Sequence, residues 1–421
     1  MAEEQVWDQR QTLRPPPYRG AMARLLGGLE VGDDAIDALP DAVVAACCRH
    51  RGASSVMDDV EQLPEPAWVE WALVRKGQGL WREHLGRAFL ALTATLLQGF
   101  TIARFADVLH HAGYARSPLE AANRFQATAF FIHDWFHHPL DDPESFARRG
   151  IYTVRCLHSH SRRHCKRLFS REAGEGIPLS QYDLGEVQLA FSGVCMAIME
   201  LELGMGPLLR SDREAMTHLW RFIGWHLGIQ DRFNVCNSLE DLDACYKDFM
   251  EWTPQRLRTC RESTHALQSM TVRGFGKHLF IGQRYWEGFL AVLNNFMGVA
   301  VPYVRIQPLV GMESLVRMRM LMIGKSDVAN ASVNRYIMVA RELRRRTPER
   351  SEWLAATVAP GVAAFNDLVV WRALSLAARA IETAGHLLAK LPCKTSLVGL
   401  CSVMFSLLLL LMRRSRRRRL L

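Results

Sequence analysis

The sequence predicts an all-helical protein, and three observations predict it. From about residue 80 the apolar positions recur at intervals of three and four, the period of a helix with one buried face. Alternating β-branched runs are scarce. The pattern is also interrupted where helices stop best, at Gly113-Tyr114, His138-Pro139, Gly174 to Pro178, Gly204 to Pro207 and Pro302. With 421 residues, 49% apolar and 23% charged, the chain has the length and composition for a large core.

Residues 1 to about 75 are rich in Pro, Gly and Asp and read as an arm or cap, with short helices around Asp34 to Cys48. Pro15-Pro16-Pro17-Tyr18 fits the PPxY pattern read by WW domains, although a surface linker has the same composition. Residues 76–392 read as the helical domain. Within it the uncharged run Ala88 to Ala103, bounded by Arg87 and Arg104, is short for a bilayer and reads as a core helix. Tyr285 to Met297 and Phe365 to Leu391 are the clearest amphipathic stretches further on.

The run Thr395 to Met412 carries no charge, and a basic tail at 413–421 follows directly. This pattern predicts one C-terminal transmembrane helix anchoring the domain to an intracellular membrane. The positive-inside tendency would instead place the domain across the membrane from its arginines. The same tail holds six arginines of a net charge of +9, so the body is near neutral and a nucleic-acid partner is not indicated. The N-terminus opens with acids and has no apolar core, so no secretory signal is read there. The ten cysteines form no CxxC pair, and reduced thiols are expected. No G-x-S-x-G elbow, P-loop or dinucleotide fingerprint is present.

Two segments carry candidate chemistry. In IYTVRCLHSHSRRHCKRLF (151–169), a helix puts Ile151, Val154, His158, Ser161, Cys165 and Leu168 on one stripe. Arg155 and Arg162 then flank His158, one turn before and one after. Neutral imidazole is an axial ligand for haem iron, and arginines a turn away can pair with anionic propionates. A core histidine with its arginines reaching outward fits the same pattern. Earlier, in AANRFQATAFFIHDW (121–135), Arg124 and Thr128 share a helix face, a cation and a hydroxyl suited to bound dioxygen. A rival chemistry lies in His133-Asp134-Trp135-Phe136-His137-His138, which fits the HxxxHH box of non-haem di-iron lipid oxygenases; His160 and His164 add a pair at helical spacing.

Together these segments resemble the haem b rubber oxygenases (latex-clearing proteins) and the related ER-bound mpaB oxygenases. Arg124 and Thr128 match their distal pair, and Arg155, His158 and Arg162 match the VR-x-LH-x-x-x-R segment that bears the proximal histidine. Pro178 to Leu184 with Phe191-Ser192, and His218 to Gly224 with Leu227-Gly228-Ile229, resemble the family's next two segments. The resemblance implies a globin-like multi-helix core around one haem b, with His158 as the axial ligand of the iron. Arg155 and Arg162 would be near the haem or structure its pocket, and Arg124 and Thr128 would line the oxygen side. It further implies an oxidoreductase that uses dioxygen to cleave a carbon–carbon double bond of an isoprenoid or lipid-like molecule. The membrane would be the ER by analogy, with the mitochondrial outer and peroxisomal membranes as alternatives for a tail anchor. A catalytically inactive membrane-tethered protein that binds haem or lipid is the non-enzyme alternative. One departure is Ala127, where some rubber oxygenases place a lysine that can cap the iron.

Overall fold

The computed structural model describes residues 63–100, 102–112, 116–166, 177–258, 262–278, 282–296, 312–347 and 359–370, with isolated positions at 349, 357, 372 and 374. Thirteen helices, a 3-10 turn at Asp231–Phe233 and a π-turn at Asn366–Val370 occur among them, and no strand. They are α1 (Trp71–Glu83), α2 (Leu85–Gly99), α3 (Ala103–His111), α4 (Pro118–His137), α5 (Phe146–Cys165), α6 (Gln181–Glu202) and α7 (Arg210–Leu227). Then follow α8 (Leu239–Arg258), α9 (Glu262–His278), α10 (Gln283–Phe296), α11 (Met312–Lys325), α12 (Asp327–Arg346) and α13 (Ala359–Phe365). The arm before residue 63, with Pro15 to Tyr18, and the run 395–412 with its basic tail lie outside the described residues.

Several sequence breaks coincide with helix ends for identifiable reasons. Helix α4 stops at His137, and His138 leaves the helical region at φ −109°, ψ 152°, as a residue before proline is pressed to do. Its start is capped by Ser117, whose side chain accepts from the Glu120 amide, with Pro118 at the first helical position. Ser180 and Asp183 close a reciprocal capping box at the start of α6. Gly204 and Gly206 take positive φ in the corner between α6 and α7.

The run at 88–103 is indeed a core helix. In α2, Ala88, Ala91, Ala94 and Leu97 are fully buried and the helix ends at Gly99. Another helix is long and apolar enough to cross a bilayer by composition: α6, Gln181–Glu202, which is mostly buried inside the fold. It contains two π-turns, Ala190–Val194 and Ile198–Glu202, each a local widening that rotates the following side chains.

The helices pack in pairs: α1 on α7, α4 on α5 and on α9, α10 on α11, and α12 on α2. Contacts are close where small residues allow. A Cβ on Gly77 of α1 would lie 2.5 Å from the Ala215 carbonyl oxygen of α7, so only glycine admits this approach. The core is aromatic at its centre, with Trp81 stacked on Phe136 at 5.1 Å and meeting Trp220 edge-on at 6.0 Å. Cys156, Cys165, Cys195, Cys236 and Cys245 are buried free thiols, and burial pushes Cys236 up to about 12.

Candidate haem site

Helix α5 begins at Phe146, five residues earlier than the segment singled out in the sequence, because Ser145 caps it by accepting from the Arg148 amide. Its partner is α4. A Cβ on Gly150 would lie 3.3 Å from Trp135 Nε1 and 3.4 Å from Phe131, which sets the two helices side by side. They run antiparallel across a short connection, so stepping from Gly150 along α5 and from Phe131 back along α4 brings His158 towards Arg124.

From Ile151 to Cys165 the stripe lies on one inward side of α5, while Leu168 lies outside the described residues. Ile151 and Cys165 are buried, and so are Arg155, Ser161 and Arg162. The two arginines therefore do not reach outward to water. Arg162 donates from Nε to the Pro178 carbonyl at 3.2 Å and from a terminal nitrogen to the Leu179 carbonyl. Leu179 is the described non-glycine residue with positive φ, 53°, and its carbonyl is thus aimed by a strained turn. Arg162 consequently structures the wall between α5 and α6.

His158 is partly exposed, but its Nδ1 is buried and makes no hydrogen bond. Burial is the main reason its pKa falls to about 4, and the Arg162 and Arg124 guanidiniums add to the depression. The ring is therefore neutral at physiological pH, with a lone pair available. Arg124 is partly buried, whereas Thr128 is exposed and lines a small apolar pocket whose walls include none of Arg124, Arg155, His158 and Arg162. Leu85, Phe89, Leu92, Phe125, Ile132 and Phe191 are among its walls. Ala127 between Arg124 and Thr128 offers no ligating atom.

Near its start α5 carries a charged group that the sequence did not disclose. Arg148 is buried; it donates to Glu65 at 2.5 Å and to the Leu140 carbonyl at 3.1 Å, and it lies 5.4 Å over the Phe222 ring. His226 Nε2 stands 3.8 Å from the other Glu65 oxygen. Burial holds His226 below its ordinary pKa, Glu65 opposes this, and Arg148 and Arg155 reinforce it. Burial works against ionised Glu65, yet His226 and Arg148 keep its pKa low. The segment carrying Glu65 is strapped to α7: Trp225 donates to the Pro64 carbonyl at 3.2 Å, and the Arg221 guanidinium lies 3.8 Å over Trp68.

The HxxxHH segment does not converge on a metal. The His133 and His137 rings stack face to face at 3.8 Å, and His137 Nδ1 donates to the His133 carbonyl at 2.8 Å. His138 is the cap residue, 4.0 Å from Asp134. His160 and His164 lie 6.3 Å apart on the exposed side of α5. No group of three or more potential ligands is disposed to hold an ion among the described residues. Stacking points lone pairs along parallel rings, whereas a metal needs them to meet.

These histidines make a pH dependence predictable. His158 and His137 each hold a folded-state pKa of about 4, and His84, His138, His218 and His226 are shifted down as well. The unfolded chain takes up protons near pH 6.5 that the folded one refuses. Stability is therefore full above that pH and is lost as pH falls from about 6.5 towards 4, by up to about 1.4 kcal/mol per pH unit for each proton. Thermal melts of the haem-free protein at pH 7.5, 6 and 5 should step downward; a flat series would mean that these rings are not buried neutral.

The described residues thus form an all-helical body in which a neutral histidine on α5 lies near a cation on the neighbouring helix α4. Residues 81–320 match the family model described as ER-bound oxygenase mpaB/B'/Rubber oxygenase, catalytic domain. The chain belongs to that family. A solved structure titled "Structure of Latex Clearing Protein LCP in the closed state" is similar in fold, with a TM-score of 0.54 and 16% identity over 77% of this chain and 96% of that one. No curated protein matches this chain.

Proposed function

We propose that this protein is a haem b-dependent oxygenase in which His158 ligates the iron. The observation that carries the proposal is the His158 ring: buried at Nδ1, unbonded there, neutral, and flanked by the buried Arg155 and Arg162. An unmet buried polar atom is costly unless something meets it, and a neutral imidazole fits an iron centre. Bound there, haem b would supply dioxygen activation, and both oxygen atoms would be added across a carbon–carbon double bond to leave two carbonyl ends, with no external reductant. Arg155 would balance a propionate, while Arg162 holds the Pro178-Leu179 turn against α5. Arg124 would orient oxygen and Thr128 would donate a hydrogen bond at the pocket rim. The apolar walls beside Thr128 suit an isoprenoid or lipid-like chain.

The test is expression of the full chain with a haem precursor, followed by the visible spectrum and a pyridine haemochromogen assay. About one haem b per chain is expected, and then oxygen uptake with carbonyl products from polyprenyl substrates. A haem-free protein under saturating haem sinks the proposal. Arg124→Ala and Thr128→Ala should each keep the haem and slow product formation by about 10²-fold, the scale of one lost donor to a developing charge. Full activity in both variants would remove these residues from the oxygen side.

A further inference from the structure

Helices α11 and α12 form a hairpin joined at Ser326, and its two sides differ sharply in chemistry. The inner side of α11 buries Met312, Val316, Met320 and Ile323, and Gly324 rests directly on the Leu203 carbonyl of α6. The inner side of α12 buries Asn330 and Ile337; Asn330 hydrogen-bonds the Glu83 carbonyl at 2.7 Å and accepts from the Arg87 amide at 3.1 Å. The hairpin is therefore seated firmly, which makes its outer side meaningful.

On that outer side Arg317, Met318, Leu321, Met322 and Lys325 follow at one-turn intervals along α11, all exposed. Met322 is 59% exposed. On α12, Val328 is 78% exposed and Val339 68%, with exposed Arg335 and Met338 on the same flank. The apolar surface continues onto α6. Leu201 is exposed, and a Cβ on Gly204 would touch Leu321 at 3.0 Å and Lys325 at 3.2 Å. Arg317, Lys325 and Arg335 make no ion pair among the described residues. The nearby acid Asp327 is engaged by Arg87 at 2.7 Å.

We infer that the outer face of the α11–α12 hairpin, with Leu201, docks onto an anionic lipid surface. Burying these methionines, leucines and valines is favourable, and an exposed set of them marks an interaction surface. The interleaved cations select the occupant. Long basic side chains can lie along an apolar face and extend their charges to anionic lipid headgroups. A second copy of this chain docking by the same face would set cations against cations. Inward from the same helix, Ile337 walls the apolar pocket at Thr128. A greasy molecule in the membrane would then be one helix away from the pocket. The inference does not depend on haem.

Hydrogen–deuterium exchange of the full chain tests it, comparing protein alone, with phosphatidylcholine vesicles, and with vesicles containing phosphatidylserine. Peptides within 312–346 should exchange at least several-fold more slowly on the anionic vesicles only, and salt should reverse this. The combined variant Arg317→Glu, Lys325→Glu, Arg335→Glu should lose that protection while its melting temperature and circular dichroism stay unchanged. Unaltered exchange in 312–346 on anionic vesicles overturns the inference. So does protection that grows with protein concentration without lipid, which would indicate a second copy, or equal protection by a soluble polyanion such as heparin.

Discussion

His158→Ala should abolish haem retention while leaving the helical fold intact. The imidazole contributes no hydrogen bond from Nδ1, and its burial disfavours the charged form, so its removal relieves a cost as well as opening a small space. Circular dichroism should therefore stay near that of the parent. The pyridine haemochromogen assay should fall from about one haem per chain to background, and added imidazole should restore part of the Soret band by filling the space left by the ring. Retention of full haem by the variant would place the iron ligand elsewhere. His133 would then be the residue to examine, because its Nε2 is also buried and unbonded.

The second large effect is expected far from any ligand. Arg148→Met should destabilise the protein by about 3 kcal/mol, since it removes a buried cation from two hydrogen bonds and leaves the Leu140 carbonyl without that donor. Glu65 is half exposed and returns to water, which keeps the loss from being larger. Glu65→Met should also destabilise, by less, because Arg148 loses its carboxylate partner but keeps the Leu140 carbonyl. The double variant should be less destabilised than the two single variants added together, by at least about 1 kcal/mol in urea unfolding. Simple additivity would show that the pair acts through separate contacts.

How much of this was legible in the sequence varies with the range of the interaction. The helical course of α4 and α5 was readable from their apolar period and the His138-Pro139 stop, whereas the caps at Ser117 and Ser145, equally local signals, went unread and left the start of α5 five residues late. The stripe around His158 was readable for the same reason. The inward course of Arg155 and Arg162 was not, because the periodicity is the same whether an arginine extends to water or bonds to a turn. For Arg162 that turn lies 16 and 17 residues away. Arg148 with Glu65, separated by 83 positions, had no local signature at all. The stacking of His133 on His137 shows the converse failure. A correct helical spacing brought two histidines together, and the ring orientation then denied them a common metal. Thr128 shares its face with Arg124 as the spacing requires, but the helix faces the opening of the pocket there, so Thr128 stays exposed.

Because both histidine- and arginine-bearing walls of the site come from one helical hairpin, α4 with α5, its assembly is a short-range event. Few residues separate the paired positions, so loop closure is cheap and contact order is low. During synthesis that hairpin emerges well before α9 to α12, which later cover α4 and α2. A chain truncated after α5 should therefore already show the hairpin's helicity in the far ultraviolet. The packing of α6 and α9 around it is a property of the complete polypeptide, and premature exposure to cofactor would meet a half-built, solvent-facing ligand.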